Sequence, residues 1–113
     1  MDTNRIQARL AQFAKERDWE QFHSPKNLSM ALAGEAGELL EVFQWLTEEQ
    51  SSRASLSGEQ LAAATEELAD ILIYTLRLAD TLDIDVDQAV SDKIEKNAAR
   101  YRVELAKGNA TKR

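Results

Sequence analysis

The chain has 113 residues of which 43% are apolar, enough for one folded core but not for two domains. Its 20 acidic and 14 basic residues give a net charge of -6 at pH 7, which argues against nucleic-acid or anionic membrane surfaces as partners. The absence of cysteine excludes disulfides and thiolate metal sites, and no apolar run resembles a signal peptide or a membrane span.

Composition therefore predicts one cytoplasmic domain over residues 1–113, with a flexible tail from about residue 107. Four segments have the apolar spacing of an α-helix and none alternates like a strand, so the fold class is predicted to be all-α. The first helix is expected from about Thr3 to Trp19. The second is expected to begin after Ser24, a good N-cap followed by Pro25, and to reach about Glu49.

The third and fourth helices also begin at capping signals. Ser57 and Gln60 have capping-box spacing, which predicts a helix to about Leu82, and Asp85 caps a fourth helix that ends before Gly108. Four helices in so short a chain make one thin layer of core, and the apolar stripe of the third is wider than one neighbour can cover. We expect a four-helix bundle-like protomer that assembles into a homo-oligomer.

Acidic side chains interrupt the apolar face of the second helix, in the stretch ALAGEAGELLE. At about 100° per residue, Glu35 falls inside the stripe that begins at Leu28, and Glu38 falls at its edge beside Trp45. An unpaired buried carboxylate is costly, and the stripe contains no lysine or arginine to balance it. A bound cation is the simplest compensation.

Two glycines lie in the same stretch. Gly34 and Gly37 each cost a helix interior about 1 kcal/mol relative to alanine, which favours a role in the close approach of another helix or a ligand. Simple easing of helix packing explains either glycine alone equally well.

The third helix repeats the acidic arrangement. Its apolar stripe is defined by Leu61, Leu68, Leu72 and Leu82. At the border of this stripe follow Glu67, Asp70 and Tyr74. Four carboxylates, no cysteine and a single histidine form a hard oxygen site, which suits Mg²⁺ or Mn²⁺ better than Zn²⁺ and cannot supply a di-iron centre. Helix carboxylates that bind Mg²⁺ leave positions for water and phosphates, which indicates phosphoryl chemistry.

Cationic and aromatic residues supply the complementary groups. On the fourth helix, the apolar stripe from Val86 continues as Lys93, Asn97, Arg100 and Tyr101. Such a stripe needs an anionic partner, unless the helix end leaves the core and these groups reach water. The aromatic side chains Trp19 and Trp45, with His23, fit either ordinary packing or a stacking platform for a base.

Three motifs follow one another along the chain: Glu35-x-x-Glu38, Glu67-x-x-Asp70 and Lys93-x-x-x-Asn97-x-x-Arg100-Tyr101. In this order they resemble the all-α nucleoside triphosphate pyrophosphatases of the MazG type, from about residue 17 to residue 101. The flanking stretches DWEQFHSPKNLSMALAGEAGELLEVFQW and EELADILIYTLRLA are similar to the dCTP pyrophosphatase branch. The chain departs from the family's pattern in the long interval between the two acid pairs and in the lack of a proline after Tyr101.

The resemblance implies Mg²⁺-dependent hydrolysis of a nucleoside triphosphate, dCTP or a 5-modified dCTP first, to the monophosphate and pyrophosphate. It implies an oligomer, commonly a tetramer built from dimers, and a role in removing unwanted nucleotides. It assigns metal binding to Glu35, Glu38, Glu67 and Asp70. It assigns the phosphates to Lys93, Asn97 and Arg100 with Tyr101 nearby. It assigns the base pocket to Trp19, His23, Trp45 and Tyr74.

Glu38 is the candidate catalytic residue that orients or deprotonates the water attacking the α-phosphorus, and coordination alone is the alternative for it. Two other functions stay open. An enzyme of the same fold would prefer another nucleotide, such as dUTP or a histidine-pathway intermediate. A noncatalytic helical interaction module is the second, although it would have no reason to retain Glu35 in an apolar stripe.

Overall fold

The computed structural model describes residues 1–111, most of which lie in helices. Its helices are α1 Thr3–Glu16, α2 Pro25–Phe43, α3 Gly58–Thr81, α4 Val86–Arg100 and α5 Val103–Ala106, with a 3₁₀ turn at Glu20–Phe22. The described residues contain no strand, which confirms the all-α prediction. None of the described helices combines the length and apolar content needed to span a membrane.

The predicted caps start three of these helices. Ser24 and Asp85 each accept a hydrogen bond from the backbone N–H three residues on, at 3.1 Å. At α3 the capping box is complete: Ser57 Oγ accepts from the Gln60 N–H at 3.1 Å, and Gln60 Oε1 accepts from the Ser57 N–H at 2.9 Å. Because these bonds satisfy amides that lack intrahelical partners, the local sequence sets where each helix begins.

The second helix is shorter than predicted. It ends at Phe43 rather than at about Glu49. The Thr47 N–H donates to Gln50 Oε1 at 2.9 Å, and the Gln50 N–H donates to Thr47 Oγ1 at 3.1 Å. This reciprocal pair is the hydrogen-bonding pattern of a capping box, and it starts a separate turn that competes with continuation of α2.

Two helices are each followed, two residues after their last residue, by an aspartate in the left-handed backbone region. The first helix ends at Glu16 instead of about Trp19, and Asp18 follows with a φ of 52°. The third ends at Thr81 and is followed by Asp83 with a φ of 54°. Aspartate tolerates this conformation better than most residues, so it occupies the helix-ending position that glycine usually takes.

The chain divides into two compact units. The first unit, Met1–Asp83, contains the α2–α3 hairpin with α1 packed on α3. Leu28 of α2 and Leu76 of α3 are its largest fully buried side chains. The second unit begins at Ile84 and contains α4 and α5. That all of this forms one domain stays a prediction. Residues 107–111 contain no helix, and the rest of the predicted tail, 112–113, lies outside the described residues.

The apolar stripe predicted for α3 is only partly buried. Leu76 and Ala79 are its buried residues, whereas Leu68 is 52% exposed and Leu72 is 41% exposed. The exposure of these two leucines accords with the expectation that the stripe is wider than one neighbour covers. They stay exposed although α2 and α1 both pack on α3.

We expect Ser57→Ala to lower the free energy of unfolding by about 1 kcal/mol, because it removes one of the two reciprocal capping bonds at the start of α3. Thermal or urea denaturation measures the effect. Ser91→Ala is the control, since it removes a hydroxyl from an exposed position inside α4 and should leave stability unchanged or slightly higher. Equal losses in both variants would contradict a capping role.

Candidate metal site and adjoining pocket

Three carboxylates from two helices lie together in the first unit. Glu35 and Glu38 of α2 and Glu67 of α3 each offer one oxygen, and these oxygens lie within 4.8 Å of one another. We call them the acid cluster. Oε2 of Glu35 and Oε2 of Glu67 are buried and have no hydrogen-bond partner among residues 1–111. Because unpaired buried carboxylate oxygens are costly, this arrangement favours a bound cation.

The proximity of these acids perturbs their titration. A hydrogen bond with Glu35 contributes most to raising the pKa of Glu67 to about 7, and Glu38 and partial burial raise it further. For Glu35, the hydrogen bond with Glu67 lowers the pKa, but Glu38, burial and the charge of Asp70 outweigh it, so that its pKa is raised. Both shifts favour the protonated carboxyl groups, and a divalent cation would compete with protons for the same oxygens.

Asp70 occupies a different position from the other three predicted metal ligands. It does not contribute to the set of oxygens within 4.8 Å, although its charge raises the pKa of Glu35. Its side chain lines the neighbouring pocket instead. The structure thus brings three of the four predicted ligands together and puts the fourth beside them, where its role in binding metal stays a prediction.

A pocket of about 260 Å³ lies between α1, the segment that follows it, and α3. We call it the aromatic pocket. It is lined by Leu10, Phe13, Ala14, Trp19, His23, Asp70, Ile73, Tyr74 and Arg77. Three of the four residues predicted to bind the base, namely Trp19, His23 and Tyr74, are therefore brought together. The Trp19 and Phe13 rings pack edge to face with their centroids 5.7 Å apart.

Trp45, the fourth predicted base-binding residue, is not among the lining residues of this pocket. Its predicted position on the second helix is wrong, because α2 ends at Phe43. The Trp45 side chain is 86% exposed. Any contact with a base therefore stays a prediction.

The predicted phosphate-binding residues belong to the second unit. Lys93, Asn97 and Arg100 are exposed on α4, and their spacing of four and three residues puts them on one helix face. The Tyr101 N–H caps the helix by donating to the Asn97 carbonyl at 2.7 Å, and the Arg100 guanidinium lies 5.6 Å from the Tyr101 ring centre. Their role in binding phosphate stays a prediction.

Arg77 is a pocket residue that the sequence analysis missed. It follows Tyr74 by three residues and Asp70 by seven, so helical spacing puts it on their face, although spacing does not show that it lines a pocket. The pKa of His23 is lowered, first by burial and then by the positive charge of Arg77, against a smaller opposing effect of Glu20. The pocket therefore contains a neutral imidazole beside a cation.

The two glycines of α2 are exposed. A Cβ atom built at Gly34 or Gly37 would have no heavy atom within 4 Å. The close approach of another helix, which the sequence favoured as one explanation, is therefore not made within the described chain.

Comparison with known proteins gives the family. The model of the MazG-like family matches residues 31–113. The chain belongs to the MazG-like family. The similarity predicted from the acid pairs and the fourth-helix motif is thereby confirmed. This chain matches the structure of a pyrophosphatase from Archaeoglobus fulgidus with a TM-score of 0.82 and 35% sequence identity. The match covers 90% of this chain and 94% of that one.

Curated relatives of this MazG-like chain carry a more specific name. The dCTP pyrophosphatase 1 of Bos taurus is 51% identical over 102 residues, and that of Homo sapiens is 47% identical over the same length. Each match covers 90% of this chain but 60% of the relative, so the chain spans about 60% of the length of these relatives.

We expect Glu67→Gln to stabilise the metal-free protein near pH 8 and to have little effect below about pH 4.5. Folding raises the pKa of Glu67 to about 7 from 4.5, so the stability contributed by its protonated form is fully present below 4.5 and is lost as the pH rises through 7. Glutamine mimics the protonated form at every pH. Thermal denaturation in EDTA across this range measures the difference from wild type.

The neighbouring Glu66→Gln is the matched control, because Glu66 is exposed and lies outside the acid cluster. With Mg²⁺ added, wild type should gain thermal stability and Glu67→Gln should gain less. A Glu67→Gln variant no more stable than Glu66→Gln near pH 8 would show that the carboxylates do not repel one another as described.

Proposed function

We propose that this MazG-like protein is a nucleoside triphosphate pyrophosphatase, which hydrolyses the bond between the α- and β-phosphates and releases the monophosphate and pyrophosphate. The acid cluster beside the aromatic pocket carries this proposal. Asp70 links the two, since its side chain lines the pocket and its charge acts on Glu35. A base in the pocket would therefore have its phosphates near a site suited to a divalent cation.

The residues of the acid cluster fit Mg²⁺, with Mn²⁺ as a substitute. Buried, unpartnered Oε2 atoms on Glu35 and Glu67 are hard oxygen donors that a cation would satisfy, and Glu38 adds a third oxygen. When bound, the cation would neutralise charge on the triphosphate and lower the pKa of a water molecule. Asp70 would complete the set predicted from the sequence.

The protein's own side chains would position the substrate. Trp19 and Tyr74 would hold the base by stacking in the aromatic pocket. Glu38 is exposed, unlike its half-buried neighbours Glu35 and Glu67, so its carboxylate is accessible to orient or deprotonate the attacking water.

The basic face of α4 would bind the phosphates through Lys93, Asn97 and Arg100, with Tyr101 nearby. This assignment depends on the resemblance, and on the shared helix face of the first three residues. Substitution of any one of these three residues would therefore weaken binding of the triphosphate but leave metal binding intact.

We propose dCTP or a 5-modified dCTP as the preferred substrate, in a cytoplasmic role of clearing unwanted nucleotides. The names of the relatives with 47% and 51% identity support this choice over other nucleotides. The alternatives are hydrolysis of another nucleotide and a noncatalytic interaction module. The unpaired oxygens of Glu35 and Glu67 favour a metal-dependent enzyme over the module.

With Mg²⁺, the protein should release pyrophosphate from dCTP at a higher kcat/KM than from dATP, dUTP or dTTP, and EDTA should abolish the reaction. A panel of canonical and 5-modified deoxynucleotides, with both products identified, tests the activity and its preference together. A preference of about tenfold or more for dATP or dUTP would contradict the substrate while leaving the pyrophosphatase activity intact.

Variants of the acids test the site in the same assay. Glu35→Gln, Glu38→Gln and Asp70→Asn should each lower kcat/KM by roughly a hundredfold or more, as expected for loss of a ligand or catalytic carboxylate. Glu41→Gln is the matched control, since Glu41 lies on the same helix but is exposed and outside the cluster. Circular dichroism checks that the helices persist. Full activity in both Glu38→Gln and Asp70→Asn would exclude the proposed metal site.

We also propose that the active form is a homo-oligomer, with a tetramer built from dimers as the expected state. The uncovered Leu68 and Leu72 of α3, together with Leu40 of α2 at 60% exposure, would be buried between chains. Light scattering should give a mass above 12.7 kDa, and Leu68→Glu should shift it towards the monomer. A fully active wild-type monomer would disprove this assembly.

A further inference from the structure

Arg77 is a nearly buried cation that the proposed mechanism leaves unused. Its side chain is 11% exposed and lines the aromatic pocket. Its Nε atom is buried and has no hydrogen-bond partner in the described part of the chain. Buried donors are normally paired, so an unpaired guanidinium nitrogen at a pocket wall indicates a ligand that supplies the acceptor.

The nearby carboxylate does not account for this nitrogen. Asp80 Oδ2 lies 3.7 Å from Nη1 of Arg77, which is an ion-pair distance rather than a hydrogen bond. The other oxygen of Asp80 accepts a hydrogen bond from Gln7 Nε2 at 2.7 Å. Asp80 therefore faces Nη1. On the opposite edge of the guanidinium, formed by Nε and Nη2, the Nε–H donor is unpaired within the described residues.

The position of Arg77 along α3 suits the base end of a nucleotide. Glu67, Asp70, Tyr74 and Arg77 follow at spacings of three, four and three, so they lie along one face of the helix. At 1.5 Å per residue, Arg77 is about 15 Å along the axis from Glu67. With phosphates near the acid cluster, the far end of the aromatic pocket would contain the edge of the base.

A second polar atom reaches the same pocket. Nδ1 of His23 is also buried without a hydrogen-bond partner among the residues described. The lowered pKa of His23 keeps the imidazole neutral near pH 7, so one of its nitrogens can accept a hydrogen bond. The pocket thus combines the parallel donors of a guanidinium with a neutral imidazole that supplies an acceptor.

This combination matches one pyrimidine better than the others. The O2 and N3 atoms of cytosine are adjacent acceptors, and its exocyclic amine is a donor. Uracil and thymine have the same O2 but a hydrogen on N3, which would face a guanidinium N–H. Two donors in a fixed fork therefore fit the cytosine edge and leave an unfavourable donor pair with uracil or thymine.

We propose that Arg77 is a specificity-determining residue, which donates to O2 and N3 of a cytosine base in the aromatic pocket and so selects cytosine over uracil and thymine nucleotides. His23 accepts from the exocyclic amine on the same edge. This inference rests on the proposed function and deepens it, because it says how the nucleotide is chosen.

The test compares kcat/KM for dCTP with that for dUTP in wild type, Arg77→Gln and Arg77→Lys. The dCTP preference should fall about tenfold or more in both variants, since lysine retains the charge but lacks the two parallel donors. Arg53→Gln is the matched control, because Arg53 is exposed and lies outside the pocket. Its preference should equal that of wild type.

A binding measurement gives a readout that does not need catalysis. Titration with dCMP and dUMP, followed by tryptophan fluorescence, should show tighter binding of dCMP in wild type and similar binding of both in Arg77→Gln. Asp80→Asn separates a structural role from recognition, because it removes the ion pair but retains the guanidinium. That variant should retain the cytosine preference, whatever its thermal stability.

Each outcome decides between the two hypotheses. The role of Arg77 would be overturned if Arg77→Gln left the ratio of kcat/KM for dCTP to that for dUTP unchanged, or if wild type did not prefer dCTP to dUTP. The pyrophosphatase activity would stand in both cases. A wild type that hydrolyses no triphosphate, yet binds dCMP over dUMP in a manner that requires Arg77, would instead overturn the proposed function and support the recognition.

Discussion

The mutual repulsion of Glu35, Glu38 and Glu67 is the constraint on which the rest of the first unit depends. The α2–α3 hairpin holds these carboxylates together, and packing around Leu28 and Leu76 resists their separation. The raised pKa of Glu67 reflects this closeness, first through its hydrogen bond with Glu35 and then through Glu38, burial and the neighbouring negative charges. A cation relieves the same conflict, so the features that destabilise the metal-free protein are those that would make it bind metal.

The third helix joins this site to the pocket that would hold the base. Its face carries Glu67 at one end and Arg77 at the other, with Asp70 and Tyr74 between them. A rigid helix fixes the spacing between a centre suited to phosphates and a centre suited to a base edge, and no loop movement is needed to keep it. The capping box at Ser57 sets the start of this helix and therefore contributes indirectly to both ends.

The parts of the structure that follow from local chemistry were predictable. Helix starts depend on a few neighbouring residues, and the half-buried position of Glu35 follows from helical periodicity, so both were found from the sequence. The early end of α2 was missed because the Thr47–Gln50 cap was overlooked, which also misplaced Trp45. Arg77 was missed because an arginine on an amphipathic helix normally reaches solvent, and only tertiary packing reveals that its Nε is buried and unpaired.

The glycines of α2 identify a surface whose purpose lies outside the described chain. Each costs a helix interior about 1 kcal/mol relative to alanine, and nothing within residues 1–111 approaches the space that a Cβ would fill at Gly34 or Gly37. Internal packing therefore gives no reason for either glycine. A ligand or another chain that approached the backbone of α2 closely would give such a reason. Gly34 and Gly37 directly flank Glu35 and Glu38 in the sequence, so whatever approaches them also approaches the acid cluster, and assembly and substrate binding would meet on this one helix.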